Sequence, residues 1–286
     1  MPGLRELVAE ELMLPVDPRV AAMAAAIAEK HGKASQAVLF YGSCLRQREL
    51  AGLMLDFYLI VSDYRAAYTS RWLAVANRLI PPNVFYFEHG GLVSKYAVLS
   101  EADFAHECSR DAWTVSTAAR FAQPSRLVWS KDEAARVRVI ETVSQATPSL
   151  LGWAVPASGK LSAIDLWKRA FALTFGAELR AERSDRSAMI VDADPQRYER
   201  FAAAASSPGP TRDERWWRGK QRHGKIYSVA RLAKASFTFA GGADYIAWKI
   251  NRHAGTAIAL KPWQRRHPLL AAITLLPRLL SSGAVR

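Results

Sequence analysis

The chain has 286 residues, of which 50% are hydrophobic and 23% are charged. This composition is that of a folded protein with a sizeable core, and it excludes wholesale disorder. The net charge of +13 is uneven, because residues 206–286 hold fifteen Lys/Arg and three acids, against 24 and 23 in residues 1–205. A cationic segment on a nearly neutral body predicts a polyanionic partner, either an anionic membrane surface or a nucleic acid.

The cysteine content and the N-terminus bear on the compartment. Cys44 and Cys108 form neither a metal-binding spacing nor a disulfide framework, which predicts a reducing compartment. Acidic residues at positions 6, 10 and 11 argue against a signal peptide. We therefore expect a cytoplasmic protein that associates peripherally with a membrane.

The first elements are predicted to be a helix and two strands. Asp17-Pro18 is a plausible N-cap and first helical position for an alanine-rich helix that runs to about residue 31. An apolar strand over 37–41 then ends in Gly42-Ser43, and a second apolar strand carries Asp56 in its first half.

Further α/β structure follows up to residue 123. The pattern predicts one helix over 64–79, strands over 84–87 and 92–99, and a helix from a capping box at Ser100 toward residue 120. These elements indicate a mixed sheet with helices, and we assign residues 1–123 to a first domain.

The remainder is predicted to be mainly helical. Residues 124–201 show helical spacing with Ser162 as a cap, and the run 206–210 has the composition of a linker. After it, Trp216, Trp217 and Tyr227 are interleaved among eight Lys/Arg. We therefore predict a helical second domain over 124–205 and a basic C-terminal segment over 206–286.

The tail over 262–280 has an apolar stripe at helical spacing behind a tryptophan and two arginines. It is too short, and too interrupted at Pro277-Arg278, to span a bilayer, which needs about 20 apolar residues. An interfacial helix has this pattern. A helix docked on the core and a contact between two copies are the alternatives.

The Gly42-Ser43 turn and Asp56 are the residues most indicative of chemistry. Glycine allows a tight turn and a close approach to a ligand, and Ser43 can offer its hydroxyl and N–H to a phosphate. A carboxylate within an apolar strand is costly unless a partner such as a divalent metal satisfies it. This combination outlines a nucleotidyltransferase site, and an ordinary turn beside a solvent-facing aspartate is the alternative.

Six segments in order extend this interpretation. They are Tyr41-Gly42-Ser43, Leu55-Asp56-Phe57, Ser94-Lys95-Tyr96-Ala97-Val98, Ala119-Arg120-Phe121-Ala122-Gln123-Pro124, Phe175-Gly176-Ala177-Glu178-Leu179-Arg180, and Arg231 with Phe237-Thr238-Phe239-Ala240-Gly241. With them the chain resembles the mitochondrial-type phosphatidate cytidylyltransferases, the translocator assembly and maintenance family.

That resemblance implies a fold and an activity. The expected fold is α/β, with a polymerase-β-type nucleotidyltransferase domain, a winged-helix-like helical domain and a membrane-facing C-terminal segment. The expected reaction converts CTP and phosphatidic acid to CDP-diacylglycerol and pyrophosphate with Mg²⁺. CTP, phosphatidic acid or a related lipid phosphate, and an anionic membrane are then the partners.

The resemblance and the residue chemistry together suggest roles. The expected catalytic residues are Asp56, Glu178 and Lys95, and the expected Mg²⁺ ligands among them are Asp56 and Glu178. The expected nucleotide-binding residues are Tyr41, Gly42, Ser43 and Arg120, and those for the acceptor phosphate are Arg180, Arg231 and Lys234. Solvated side chains in ordinary ion pairs are the alternative for Glu178 and the cations.

Two other functions stay open. The second hypothesis keeps the fold and changes the acceptor to a small molecule, another lipid phosphate or an RNA end, for which Trp216 and Trp217 suit base stacking. A non-catalytic adaptor is the third hypothesis, because Tyr58 stands where many nucleotidyltransferases have a second carboxylate.

Overall fold

The computed structural model describes residues 2–47, 49–156, 159–177, 186–205, 212–238 and 261–266. The strands in this part of the chain are β1 (Ser35–Tyr41), β2 (Met54–Val61), β3 (Asn83–His89), β4 (Leu92–Ser100) and β5 (Ser125–Ser130). The helices are α1 (Leu4–Leu12), α2 (Pro18–Lys30), α3 (Tyr64–Ala67), α4 (Arg71–Leu79), α5 (Glu101–Cys108), α6 (Ser116–Phe121), α7 (Glu133–Ser144), α8 (Ala146–Ala154), α9 (Ala163–Phe175), α10 (Arg186–Asp192), α11 (Pro195–Ala204), α12 (Glu214–Thr238) and α13 (Pro262–Arg266).

The five strands form one sheet in the order β3-β4-β2-β1-β5. Strands β2 and β4 are parallel, and the other three neighbouring pairs are antiparallel. The predicted α/β fold with a mixed sheet is therefore confirmed.

Each face of the sheet has its own apolar core. One core contains Tyr58 and Ile60 of β2 and packs against α1 and the helices from α5 to α12, with Trp167 fully buried. The other contains Phe57 and Leu59 of β2 and packs against α2, α3 and α4. Because neighbouring residues of a strand point to opposite faces, β2 is buried on both sides and forms the centre of the protein.

The predicted helix caps are confirmed. The Asp17 side chain accepts a hydrogen bond from the backbone N–H of Arg19 at 2.8 Å. Ser100 Oγ accepts from the N–H of Asp103 at 3.1 Å, and Ser162 Oγ accepts from the N–H of Asp165 at 3.1 Å. Each cap satisfies a backbone donor that a helix start leaves unpaired.

Three predicted boundaries are wrong. The helix predicted over 64–79 is two helices, because the chain becomes extended at Tyr68 and Ser70 between α3 and α4. The helix from Ser100 ends at residue 108, where Ser109 Oγ donates to the carbonyl of His106 at 2.7 Å. Residues 125–130, predicted as helical, are instead strand β5, because pairing with the free edge of β1 overrides local propensity.

The C-terminal predictions are covered only in part. The predicted linker at 206–210 lies outside the described residues, as do residues 267–280 of the predicted tail helix. Residues 262–266 are helical. Within the ranges that the structure describes, no helix is long and apolar enough to cross a bilayer.

Candidate active site at the β1–β2 edge

A row of paired residues crosses all five strands at the level of the last residue of β1, and it is here called the edge row. Its members, in order across the sheet, are Ser125 on β5, Tyr41 on β1, Asp56 on β2, Lys95 on β4 and Tyr86 on β3. Directly opposite residues of neighbouring strands project from the same face of the sheet. This edge row therefore brings together three of the predicted site residues, Tyr41, Asp56 and Lys95, with Ser125 and Tyr86.

The Gly42 turn lies directly against Asp56. Gly42 has φ of +93°, and a Cβ atom built there would lie 3.2 Å from Asp56 Oδ2. Any other residue would be strained in this conformation and would also crowd the carboxylate. A short 3₁₀ helix, Ser43–Arg46, follows, and its first residue, Ser43, is exposed. The predicted phosphate-binding turn is thus adjacent to the predicted metal ligand.

The Asp56 carboxylate has unused hydrogen-bonding capacity. Its Oδ1 atom is buried and accepts no hydrogen bond from the residues that the structure describes. Lys95 Nζ lies 3.1 Å from this oxygen, in an ion pair that lacks hydrogen-bonding geometry. The Asp56 side chain is 21% exposed and the Lys95 side chain is 45% exposed, so the lysine is the more solvent-accessible partner of the pair. A buried carboxylate oxygen without a hydrogen bond is costly, and a cationic ligand would satisfy it.

Two neighbours of the turn have clear structural roles. Cys44 is buried, its Sγ lies 3.4 Å from the carbonyl oxygen of Met54, and burial and nearby Asp56 raise the pKa of its thiol. The thiol therefore stays protonated and serves as a small core group. Tyr58 is also buried, and its ring packs 5.3 Å from Tyr41 and 5.2 Å from Phe121.

Ser125 is a member of the edge row that the sequence did not suggest. It is 1% exposed, and its Oγ has no hydrogen-bond partner among the described residues. A buried hydroxyl in this position can donate to a ligand held beside Tyr41. A single serine after Pro124 has no distinguishing pattern, so only the strand pairing reveals it.

Cations from two helices approach Tyr58, which lies two residues beyond Asp56 on the same sheet face. Arg120 precedes Phe121 in α6, whose ring touches Tyr58. Burial lowers the pKa of the Arg231 guanidinium, the Tyr58 hydroxyl opposes this shift, and Arg120 adds to it. The Arg120 and Arg231 side chains are therefore near enough for the charge of one to influence the other.

Arg231 also belongs to a second group of contacts, here called the carbonyl clamp. Three α12 side chains donate to the carbonyls of residues 79–82, at the end of α4 and just beyond it: Tyr227 Oη to Leu79 at 3.0 Å, Arg231 Nε to Pro81 at 2.7 Å, and Lys234 Nζ to Pro82 at 2.8 Å and to Ile80. The donors satisfy one carbonyl at the helix end and three in the connection that follows.

Burial and the nearby Arg231 lower the pKa of Lys234 to about 7. In this arrangement Arg231 and Lys234 hold the connection between α4 and β3. Their predicted contact with an acceptor phosphate stays a prediction.

The side chains of Trp216 and Trp217 are less accessible for base stacking than the sequence suggests. Trp217 is 4% exposed, and its Nε1 donates to the carbonyl of Trp153 at 3.0 Å. Trp216 packs edge-on against Trp217 at 5.1 Å, with Lys220 Nζ 5.3 Å from its ring centre. Trp217 therefore anchors α12 to the core and is not free to stack on a base.

A magnesium ion would find one described protein ligand here. Asp56 offers a carboxylate with a buried, unbonded oxygen, which fits a Mg²⁺ that keeps water and phosphate oxygens as its other ligands. The predicted second ligand, Glu178, lies outside the described residues, and so does Arg180. Within those ranges, no three His, Cys, Asp or Glu side chains group as a metal site.

Comparisons with known proteins add a structural neighbour. The chain matches no family model and no curated protein. Among solved structures, it is similar to a nucleotidyltransferase-like protein from Exiguobacterium sibiricum, with 8% sequence identity, a TM-score of 0.29, and coverage of 92% of each chain. A similarity at this TM-score supports no conclusion about function.

Proposed function

We propose that the protein is a Mg²⁺-dependent nucleotidyltransferase. One observation carries this proposal: the Gly42 turn lies against a carboxylate whose buried Oδ1 accepts no hydrogen bond among the described residues. The turn provides exposed backbone and a serine hydroxyl for phosphate oxygens, and the carboxylate provides a metal ligand. Lys95, 3.1 Å from Asp56 Oδ1, adds a positive charge on the open side.

The proposed substrates are CTP and phosphatidic acid, on the strength of the six ordered segments. A phosphate oxygen of the lipid attacks the α-phosphorus of CTP, the bond from that phosphorus to the bridging oxygen breaks, and pyrophosphate leaves. The products are CDP-diacylglycerol and pyrophosphate. Such a transfer needs little covalent help from the protein, because positioning and charge neutralisation lower its barrier.

Each residue of the site has a task in this scheme. Ser43 and the backbone of the turn hold the β- and γ-phosphates, and Lys95 neutralises charge on the departing pyrophosphate. Asp56 would hold Mg²⁺, which when bound neutralises the triphosphate and orients it. Arg120 would contact the phosphates of the nucleotide, and Arg231 would exchange its contact with the Pro81 carbonyl for the acceptor phosphate.

The distribution of charge supports an anionic lipid as the acceptor. Residues 215–229 of α12 contain five Lys/Arg and no acid. A cationic helix beside the edge row favours a substrate held at an anionic surface.

The test is pyrophosphate release by the full chain with Mg²⁺, CTP and phosphatidic acid in mixed micelles. ATP, GTP and UTP are run in parallel, and Asp56→Ala is compared with Asp63→Ala, which alters only the cap of α3. The proposal predicts release that requires CTP and the lipid and that disappears in Asp56→Ala alone. Release with CTP but without the lipid indicates another acceptor. No release with any nucleotide from a folded protein contradicts the proposal and favours the adaptor hypothesis.

A further inference from the structure

The outward face of α4 has an unusual composition. Its exposed residues are Arg71, Trp72, Val75, Arg78 and Leu79, here called the α4 face. Trp72, Val75 and Leu79 are 50%, 56% and 68% exposed. A surface helix ordinarily directs its polar side chains to solvent, whereas this one presents three large apolar side chains and two arginines.

The α4 face cannot be hidden by rotation of the helix, because buried hydrogen bonds fix the opposite side. Asn77 is fully buried, and its Nδ2 donates to the carbonyl of Val98 on β4 at 3.0 Å. Asn83 Nδ2 donates to the carbonyl of Leu73 at 3.0 Å. Turning α4 inward would leave these amides unpaired in the core, which is costly. The apolar stripe is therefore held outward.

The C-terminal end of α4 meets α12. Tyr227 Oη donates to the carbonyl of Leu79 at 3.0 Å, which brings the two helices together. The exposed cations of α12 at positions 215, 218, 222 and 225 lie on another side of that helix, because helical spacing places them well away from Tyr227.

A groove of about 680 Å³ lies where the two helices meet. Its lining includes Arg78 and Leu79 of α4 and Lys220 and His223 of α12. Trp113, 50% exposed, borders the same groove. The surface thus combines apolar side chains, a tryptophan and cations over two helices and the groove between them.

We infer that the α4 face and the groove beside it dock on an anionic lipid bilayer. Trp72, Val75 and Leu79 would enter the boundary between headgroups and acyl chains, as apolar residues of interfacial helices do. The guanidinium groups of Arg71 and Arg78 would contact lipid phosphates at the bilayer surface. The charge complementarity favours anionic lipid over a second copy of this cationic chain.

This surface is distinct from the tail over 262–280, and the inference does not depend on the proposed enzymatic activity. It follows from exposure, hydrogen bonding and charge alone. It also predicts an orientation, because docking would place the groove against the headgroups.

The experiment uses the full chain with a reporter on the surface. Both native cysteines are buried, so Leu79→Cys provides an accessible thiol for an environment-sensitive fluorophore. The control is Leu14→Cys, a 50% exposed position in the loop after α1. Vesicles of phosphatidylcholine alone are compared with vesicles that also contain phosphatidylglycerol. We expect a blue shift at position 79 with the anionic vesicles and none at position 14.

A second set of variants measures affinity by vesicle flotation. Val75→Ser with Leu79→Ser, and Arg71→Glu with Arg78→Glu, should each weaken partitioning about tenfold or more. The exposed-site control Leu14→Ser should leave it unchanged. All of these positions are exposed, and circular dichroism checks that each variant folds.

Two outcomes would overturn the inference. Binding to anionic vesicles without a signal at position 79 would assign the contact to another part of the chain, such as the tail. A signal at position 79 that depends on protein concentration and not on vesicles would assign the surface to a contact between two copies. Activity on a dispersed short-chain lipid phosphate measures the proposed reaction separately from docking.

Discussion

The edge row and the carbonyl clamp both gather charged residues that the sequence assigned to ligand binding, but they use their charge differently. In the edge row, Asp56 has a buried oxygen that accepts no hydrogen bond in the described part of the chain, and the Lys95 side chain is partly exposed to solvent. In the clamp, Arg231 and Lys234 donate to the backbone carbonyls of residues 80–82.

The difference separates a group that is ready for a ligand from groups already engaged in the fold. A carboxylate whose described partner is the partly exposed Lys95 can still bind a metal cation, whereas a cation on backbone carbonyls must exchange those contacts for a phosphate. Asp56 should therefore affect activity without supporting stability, and Arg231 and Lys234 should support stability. The following predictions test this contrast.

The largest effect is expected for Asp56→Asn. Loss of the carboxylate removes the proposed metal ligand, so turnover should fall about a thousandfold or more. The temperature of unfolding should change little, because the variant loses both a partly exposed ion pair with Lys95 and a charge that accepts no hydrogen bond at Oδ1 among the described residues. Pyrophosphate release and thermal unfolding measure the two effects, and Asp63→Asn is the control. A clear loss of stability would instead give Asp56 a structural role.

The next effect is expected for Gly42→Ala, with Gly90→Ala as a matched control. Both glycines have positive φ, but a Cβ at Gly42 meets Asp56 Oδ2 at 3.2 Å, whereas nothing lies within 4 Å at Gly90. Both variants should lose about 1 kcal/mol of stability. Turnover should fall about a hundredfold for Gly42→Ala alone, since it displaces the carboxylate. Equal activity in the two variants would contradict the proposed role of the turn.

A smaller effect is expected for Arg231→Met, which removes a clamp contact. It leaves the carbonyl of Pro81 without its donor, so the free energy of unfolding should fall by about 2 kcal/mol. Urea denaturation measures the change, and Arg222→Met, an exposed position on the same helix, should have almost no effect. Unchanged stability in Arg231→Met would show that the clamp does not support the fold.

The smallest effect is a pH dependence from Lys234. Its pKa is about 7 in the folded protein, against an ordinary value of 10.5, so the unfolded chain binds more protons between these values. The free energy of unfolding should therefore rise with pH across this interval, by at most about 1.4 kcal/mol per pH unit. Urea denaturation over a pH series measures the slope.

Lys234→Met should lack this contribution. If wild type loses stability relative to Lys234→Met as the pH rises, the clamp carbonyls hold a charged ammonium and the predicted sign is wrong.

Local sequence pattern predicted much of the fold. The three side-chain caps and the strands at the site all follow from short-range chemistry, such as an oxygen that accepts from a helix start. The local pattern did not predict strand β5, because that strand depends on pairing with β1. It also did not predict the break at Ser70, which depends on packing of the α3–α4 region. A local pattern contains no information about those distant partners.

The candidate site was predictable in its central part. Gly42 and Asp56 violate ordinary strand composition, and such violations mark functional positions. Ser125 and Tyr86 enter only through the register of the sheet, which one sequence does not define. The carbonyl clamp was likewise hidden, because a basic helix looks the same in sequence whether its cations face solvent or backbone carbonyls.

The most direct test of the central contrast is calorimetric titration of CTP into the protein in the presence and absence of Mg²⁺. Wild type, Asp56→Asn and Asp63→Asn are compared at constant ionic strength. The account predicts Mg²⁺-dependent binding by wild type and by Asp63→Asn, and loss of the Mg²⁺ dependence in Asp56→Asn. Equal Mg²⁺-dependent binding by all three proteins would contradict the assignment of the edge row as the nucleotide site.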